Sequence, residues 1–112
     1  MATYKTINEY PVAFETAKLL RKAGFKEKVA HYYFADGILR EGNPPQASHN
    51  VAPLAFPAPT IEQAYMFMRN ELRYFVGVDL SGRCTIKNRL AAYNSAIQFC
   101  LTKYLEEHDI SM

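Results

Sequence analysis

Five cations, Lys18, Arg21, Lys22, Lys26 and Lys28, fall within eleven residues, with Glu15 and Glu27 as the nearby acids. Clustered side chains of this kind can neutralise several phosphates at once, which makes nucleic-acid binding steeply salt-dependent. A second group, Arg69, Arg73, Arg83, Lys87 and Arg89, would extend such a face if the fold brought the two together. Tyr32 or Phe75, if exposed, would supply rings on which bases stack. The competing reading is that these cations simply solvate outer faces, with Glu partners at helical spacing.

Other chemistry finds less support. His31, His49 and His108 are far apart in sequence, and neither they nor Cys84 and Cys100 stand at metal-ligand spacing. Gly24, Gly37, Gly42, Gly77 and Gly82 are isolated, so no Gly-rich phosphate cradle is formed. Ser48 and His49 are adjacent, and neighbouring side chains rarely face one another as nucleophile and base. Asp36 belongs to a turn, and Asp79 is within reach of Arg83 or Lys87. No catalytic residue, metal or cofactor is expected.

A protein contact requires apolar side chains left outside the core. Met66 falls opposite the apolar stripe of its helix, among Glu62, Arg69 and Arg73, and Phe99 falls opposite Tyr93 and Cys100. With Leu54 and Phe56 from a long loop, these form a candidate interface for a protein partner or a second copy. The alternative is that helices covered on two sides bury both Met66 and Phe99.

The elements that must position these residues follow from periodicity. Ala13, Ala17, Leu20 and Ala23 recur at helical spacing, predicting a first helix over 13–23 that ends at Gly24. Strands at 28–35 and 38–41 join through Asp36 and Gly37, a strong hairpin turn signal. The stretch 43–59 holds five of the six prolines, Pro44, Pro45, Pro53, Pro57 and Pro59, and is predicted to be a long loop that packs across the surface. Thr60 and Gln63 form a capping box for a second helix, with Ile61, Ala64, Tyr65, Met68 and Leu72 as its apolar stripe. Val76, Val78 and Leu80 then alternate with Phe75, Gly77 and Asp79. A second hairpin is predicted from 74–80 and 83–88 around Ser81 and Gly82. A last helix over 91–107 is expected to bury Tyr93, Ala96, Ile97, Cys100, Leu101 and Tyr104.

The expected fold is α+β: helix, hairpin, loop, helix, hairpin, helix, with a four-stranded, mainly antiparallel sheet packed with three helices. At 112 residues, 49% hydrophobic and 21% charged, the chain suits one domain over 1–112. The net charge of +2 does not by itself point to a polyanion. The first ten residues include Lys5, Asn8 and Glu9 without an apolar run, so neither a secretory signal nor a lipid anchor is expected there, and no stretch suits a membrane span. Two cysteines on expected core faces read as buried thiols in a reducing, cytoplasmic compartment.

Three blocks also resemble a family of small proteins, without an assigned activity, from gut Bacteroidales and their phages and mobile elements. Phe14, Glu15, Thr16, Ala17, Lys18, Leu19 and Leu20, followed by Ala23, Gly24 and Phe25, resemble its FETAKLL…GF opening. Ala58, Pro59 and Thr60, with Ala64 and Arg69, resemble its APT…A….R helix start, and Tyr93, Ala96, Ile97 and Leu101 its closing helix. The chain departs from the family at Ala13, where a capping Ser is usual, and at Phe67, where Trp is usual. The resemblance implies the same order of elements and an accessory role in a phage or mobile element inside a bacterial host, with a virion component left open as the alternative. It implies no activity.

Overall fold

A computed structural model describes residues 6–42, 55–82 and 85–108. Its helices are α1 (Phe14–Lys22), α2 (Ile61–Phe67) and α3 (Ile86–Glu107), and its strands are β1 (His31–Phe34), β2 (Leu39–Glu41) and β3 (Ala55–Pro57). A 3-10 turn at Ile7–Glu9 precedes α1, and a π-helical turn at Met68–Leu72 continues α2. Among the described residues the architecture is α+β, with three helices and a three-stranded antiparallel sheet ordered β2-β1-β3.

α1 ends where the sequence predicts. Gly24 takes φ 99°, the Gly24 N–H donates to the Arg21 carbonyl, and the Phe25 N–H donates to the Leu20 carbonyl. That pair of bonds satisfies carbonyls the helix leaves open and turns Phe25 back into the core, edge-on to Phe67 at 5.2 Å.

The start of α1 is solved differently. Ala13 has no side chain to cap with, and Asn94, 81 residues away on α3, takes over. Its Oδ1 accepts from the Ala13 N–H at 2.8 Å and the Thr16 hydroxyl at 2.7 Å, while Gln98 Nε2 donates to Thr16 Oγ1 at 2.9 Å. A missing local cap has become a long-range bond between two helices.

The first hairpin turns at Asp36 and Gly37. Gly37 takes φ 78°, its N–H donates to the Phe34 carbonyl, and Asp36 Oδ1 accepts from the Ile38 N–H. Arg40 bridges Asp36 at 2.9 Å and lies 4.5 Å from the Phe34 ring centroid, so the turn is tied to β1 as well as to β2. The bridge favours the ionised carboxylate and, with the Ile38 N–H bond, holds the Asp36 pKa below its usual range.

The expected loop at 43–59 differs at its end. Residues 55–57 form β3, with Tyr33 opposite Phe56 and Tyr32 opposite Pro57. Proline is tolerated here because β3 is an edge strand. Phe56, expected on a contact surface, instead inserts its ring edge-on to Phe14 at 5.7 Å and is 9% exposed. Residues 43–54, including Leu54, lie outside the described residues.

The second hairpin is not present among the described residues. Residues 86–88 open α3, because Thr85 supplies an N-cap: its Oγ1 accepts from the Asn88 N–H at 3.1 Å. Once nucleated, a helix adds a hydrogen bond with each residue, and two alternating apolar positions do not compete with that. Among the described residues the sheet therefore has three strands, where four were expected. Residues 73–80 still run without helix, turn or bend, and their burial alternates strictly, with Tyr74, Val76, Val78 and Leu80 half-buried and Phe75, Gly77 and Asp79 exposed.

The core lies where these elements meet. Leu20, Ile61, Met68, Ile97, Leu101 and Leu105 are fully buried, and α1 packs on both α3 and β3. No helix among the described residues is long and apolar enough to cross a membrane.

Candidate functional site

A cleft of about 330 Å³ opens where α2, the π-helical turn and the run 74–76 meet. Glu62, Tyr65, Met66 and Arg69 line one wall at helical spacing, Tyr74, Phe75 and Val76 the other, and Asn8 closes one end. The capping box sets this wall. Thr60 Oγ1 accepts from the Gln63 N–H and Gln63 Oε1 from the Thr60 N–H, both at 3.1 Å, so the helix starts in one register. Ile61, Ala64, Phe67 and Met68 are then buried, and Glu62 and Met66 turn outward.

The π-helical turn shapes the far end. Met68–Leu72 accommodates an extra residue, and Arg73 closes it in the left-handed region at φ 65°. A non-glycine residue there is uncommon, and π-turns of this kind often sit at functional sites. The Tyr74 N–H donates back to the Met68 carbonyl at 2.9 Å, which swings the chain round beside α2. Phe75 leaves that turn 81% exposed, the most exposed large apolar side chain among the described residues. Tyr74 is held from behind: its hydroxyl donates to a Glu107 carboxylate oxygen and its ring meets Tyr104 edge-on at 5.9 Å.

Arg69 reaches the Met66 sulfur at 3.3 Å and makes no ion pair among the described residues. Tyr65 lies tilted against Tyr93 at 5.7 Å, with its hydroxyl oxygen buried and without a hydrogen-bond partner among the described residues. Burial, then the ionised forms of Tyr93 and Cys100, push its pKa up to about 12. Cys100 is a free, half-buried thiol whose pKa is also raised by burial, so it is not an activated nucleophile. The cleft therefore offers an apolar rim, a guanidinium and a carboxylate.

Comparison with known proteins finds no matching family model, no matching curated protein and no matching solved structure. The geometry alone carries the functional reading.

The structure brings only part of the expected surface together. Met66 is 43% exposed in the cleft wall, as its helical position implied. Phe99 is 64% exposed beneath the Lys103 ammonium, 5.8 Å from its ring centroid. It stands on the solvent ridge of α3 with Ser95 and Lys103, while Tyr93 and Tyr104 of the same helix turn toward Tyr65 and Tyr74. Met66 and Phe99 thus belong to separate surfaces, and Phe56 belongs to the core. Phe75 was legible as an exposed aromatic, but its place beside Met66 depends on the π-helical turn, for which the sequence carries no signal.

Of the first basic group, Lys18 bridges Glu15 at 2.9 Å and Arg21 lies 5.5 Å from the Phe56 ring centroid. Lys22, Lys26 and Lys28 are exposed without ion pairs among the described residues. In the second group, Arg69 faces the cleft, Arg73 closes the π-helical turn and Lys87 and Arg89 lie on the first turn of α3, while Arg83 is outside the described residues. His108 stacks on Tyr104 at 4.1 Å, and no group of three metal-ligating side chains occurs among the described residues.

Proposed function

We propose that this chain is a non-catalytic protein-interaction factor that engages a protein partner through the cleft between Met66 and Phe75. The observation that carries this reading is the exposure of both side chains on the two walls of one cleft, beside a π-helical turn closed by a left-handed Arg73. Aromatic, methionine and arginine side chains are those enriched at protein contacts. The resemblance to proteins of gut Bacteroidales, their phages and mobile elements supports an accessory role in that setting, in a bacterial cytoplasm. The test is retention of a protein from a Bacteroidales host lysate after nuclease treatment. Phe75→Asp should abolish capture without unfolding the domain, and capture undiminished by Phe75→Asp would refute the cleft as the contact.

A second reading rests on the unpaired exposure of Lys22, Lys26 and Lys28: a nucleic-acid contact on the basic face around α1. It requires binding to DNA or RNA that weakens steeply with salt and disappears in the Lys22→Glu, Lys26→Glu double variant. Binding that survives this change eliminates it.

A further inference from the structure

One wall of the cleft is a row of acid, thioether and base. Glu62, Met66 and Arg69 follow one another at helical spacing, and all three line the cleft. The helix rise sets Glu62 and Arg69 roughly 10 Å apart along the axis. Both are exposed, and neither makes an ion pair among the described residues. Arg69 lies back along the wall instead, with Nη2 3.3 Å from the Met66 sulfur. A thioether is a weak acceptor, so the guanidinium keeps its capacity for a carboxylate, the partner it binds most strongly.

A row in this order is its own complement. Turned end for end about a twofold axis beside Met66, it sets Glu62 opposite the partner's Arg69 and Arg69 opposite the partner's Glu62. One symmetry operation thus makes the ionic contact twice. The helix geometry permits it: at about 3.6 residues per turn, Glu62 and Arg69 fall to the same side of Met66, as antiparallel pairing requires. The apolar contact fits the same axis. Met66 and Phe75 are exposed on facing walls, and the partner's Met66 can enter between them. Methionine is unbranched and polarisable, which suits it to an irregular cleft and to the edge of an aromatic ring. A wholly acidic or wholly basic partner would satisfy one end of the row and be repelled at the other.

We infer that two copies of this chain associate by antiparallel packing of α2 on α2 about a twofold axis beside Met66. The inference rests on the reading of the cleft between Met66 and Phe75 as a protein contact, and it names the partner as a second copy.

Sedimentation of the full chain against concentration tests it, with oxidative cross-linking as an independent arm. The wild type should show a monomer–dimer equilibrium. Arg69→Glu and Glu62→Arg each set like charges opposite one another twice, and each should weaken the dimer about tenfold or more. The two changes together exchange the charges, re-form both pairs and should restore the dimer. Both side chains are exposed, so all three variants should keep the fold. Met66→Cys should form a disulfide with its own copy on mild oxidation, whereas Phe99→Cys, on the separate surface of α3, should not. A wild type that stays monomeric up to about 1 mM overturns the inference. So does a dimer in which the double variant is no tighter than the single ones, or one cross-linked through Phe99→Cys and not Met66→Cys. A monomer whose capture of a host protein is still lost with Phe75→Asp removes only the second copy and leaves the contact cleft standing. A monomer whose capture survives Phe75→Asp removes both.

Discussion

β1 has β2 on one side and β3 on the other, whereas the run 74–80 alternates in burial more regularly than β1 and has no strand beside it among the described residues. The two segments read alike as sequence: aromatic and β-branched residues before a turn that ends in glycine. They differ in what competes for their neighbours. After β1, Asp36 and Gly37 form a tight turn and nothing beyond it favours a helix, so β2 folds back. After residue 80 the chain meets Thr85, whose hydroxyl caps α3, and the next residues join a helix of 22. Strand pairing is thus decided by the alternatives open to the partner as much as by the strand's own pattern.

The largest expected difference between the two regions is in their aromatic side chains. Phe56→Ala removes a core ring that Phe14 and Tyr33 help to enclose, and should cost about 3–5 kcal/mol in urea unfolding. Phe75→Ala should change the same measurement by no more than about 0.5 kcal/mol, because its ring is in water. Equal costs would mean that the run is packed as tightly as the sheet.

A smaller effect is expected at the bond that ties the start of α1 to α3. Asn94→Ala leaves the Ala13 N–H and the Thr16 hydroxyl without their acceptor, a loss of about 1–3 kcal/mol. Asn94→Asp, which keeps an acceptor oxygen, should recover part of it.

The smallest effect, and of opposite sign, belongs to the cleft. Tyr65→Phe removes a buried hydroxyl that has no partner among the described residues, and should leave stability unchanged or raise it by up to about 1 kcal/mol. The same residue has a pH signature. Its folded pKa, about 12, lies above the reference value of 10.0, so the folded state holds its proton after the unfolded chain has lost it. That contribution is fully present below pH 10 and is lost as pH rises toward 12. Tyr65→Phe should therefore flatten part of the alkaline loss of stability, and an unchanged alkaline profile would contradict the burial of its hydroxyl.

Local signals in the sequence determined a good deal of this protein. The Schellman end at Gly24, the Asp36–Gly37 turn, the capping box of Thr60 and Gln63, and the outward placement of Met66 and Phe99 each depend on residues a few positions apart. Tertiary structure alone decided the rest. It drew residues 55–57 into the sheet, lent Asn94 to the start of α1, turned Phe56 inward and set Phe75 beside Met66. These arrangements join residues that are distant in sequence or follow a π-helical turn with no local signature. Their stability comes from burial and hydrogen bonds that exist only once the separate elements have met.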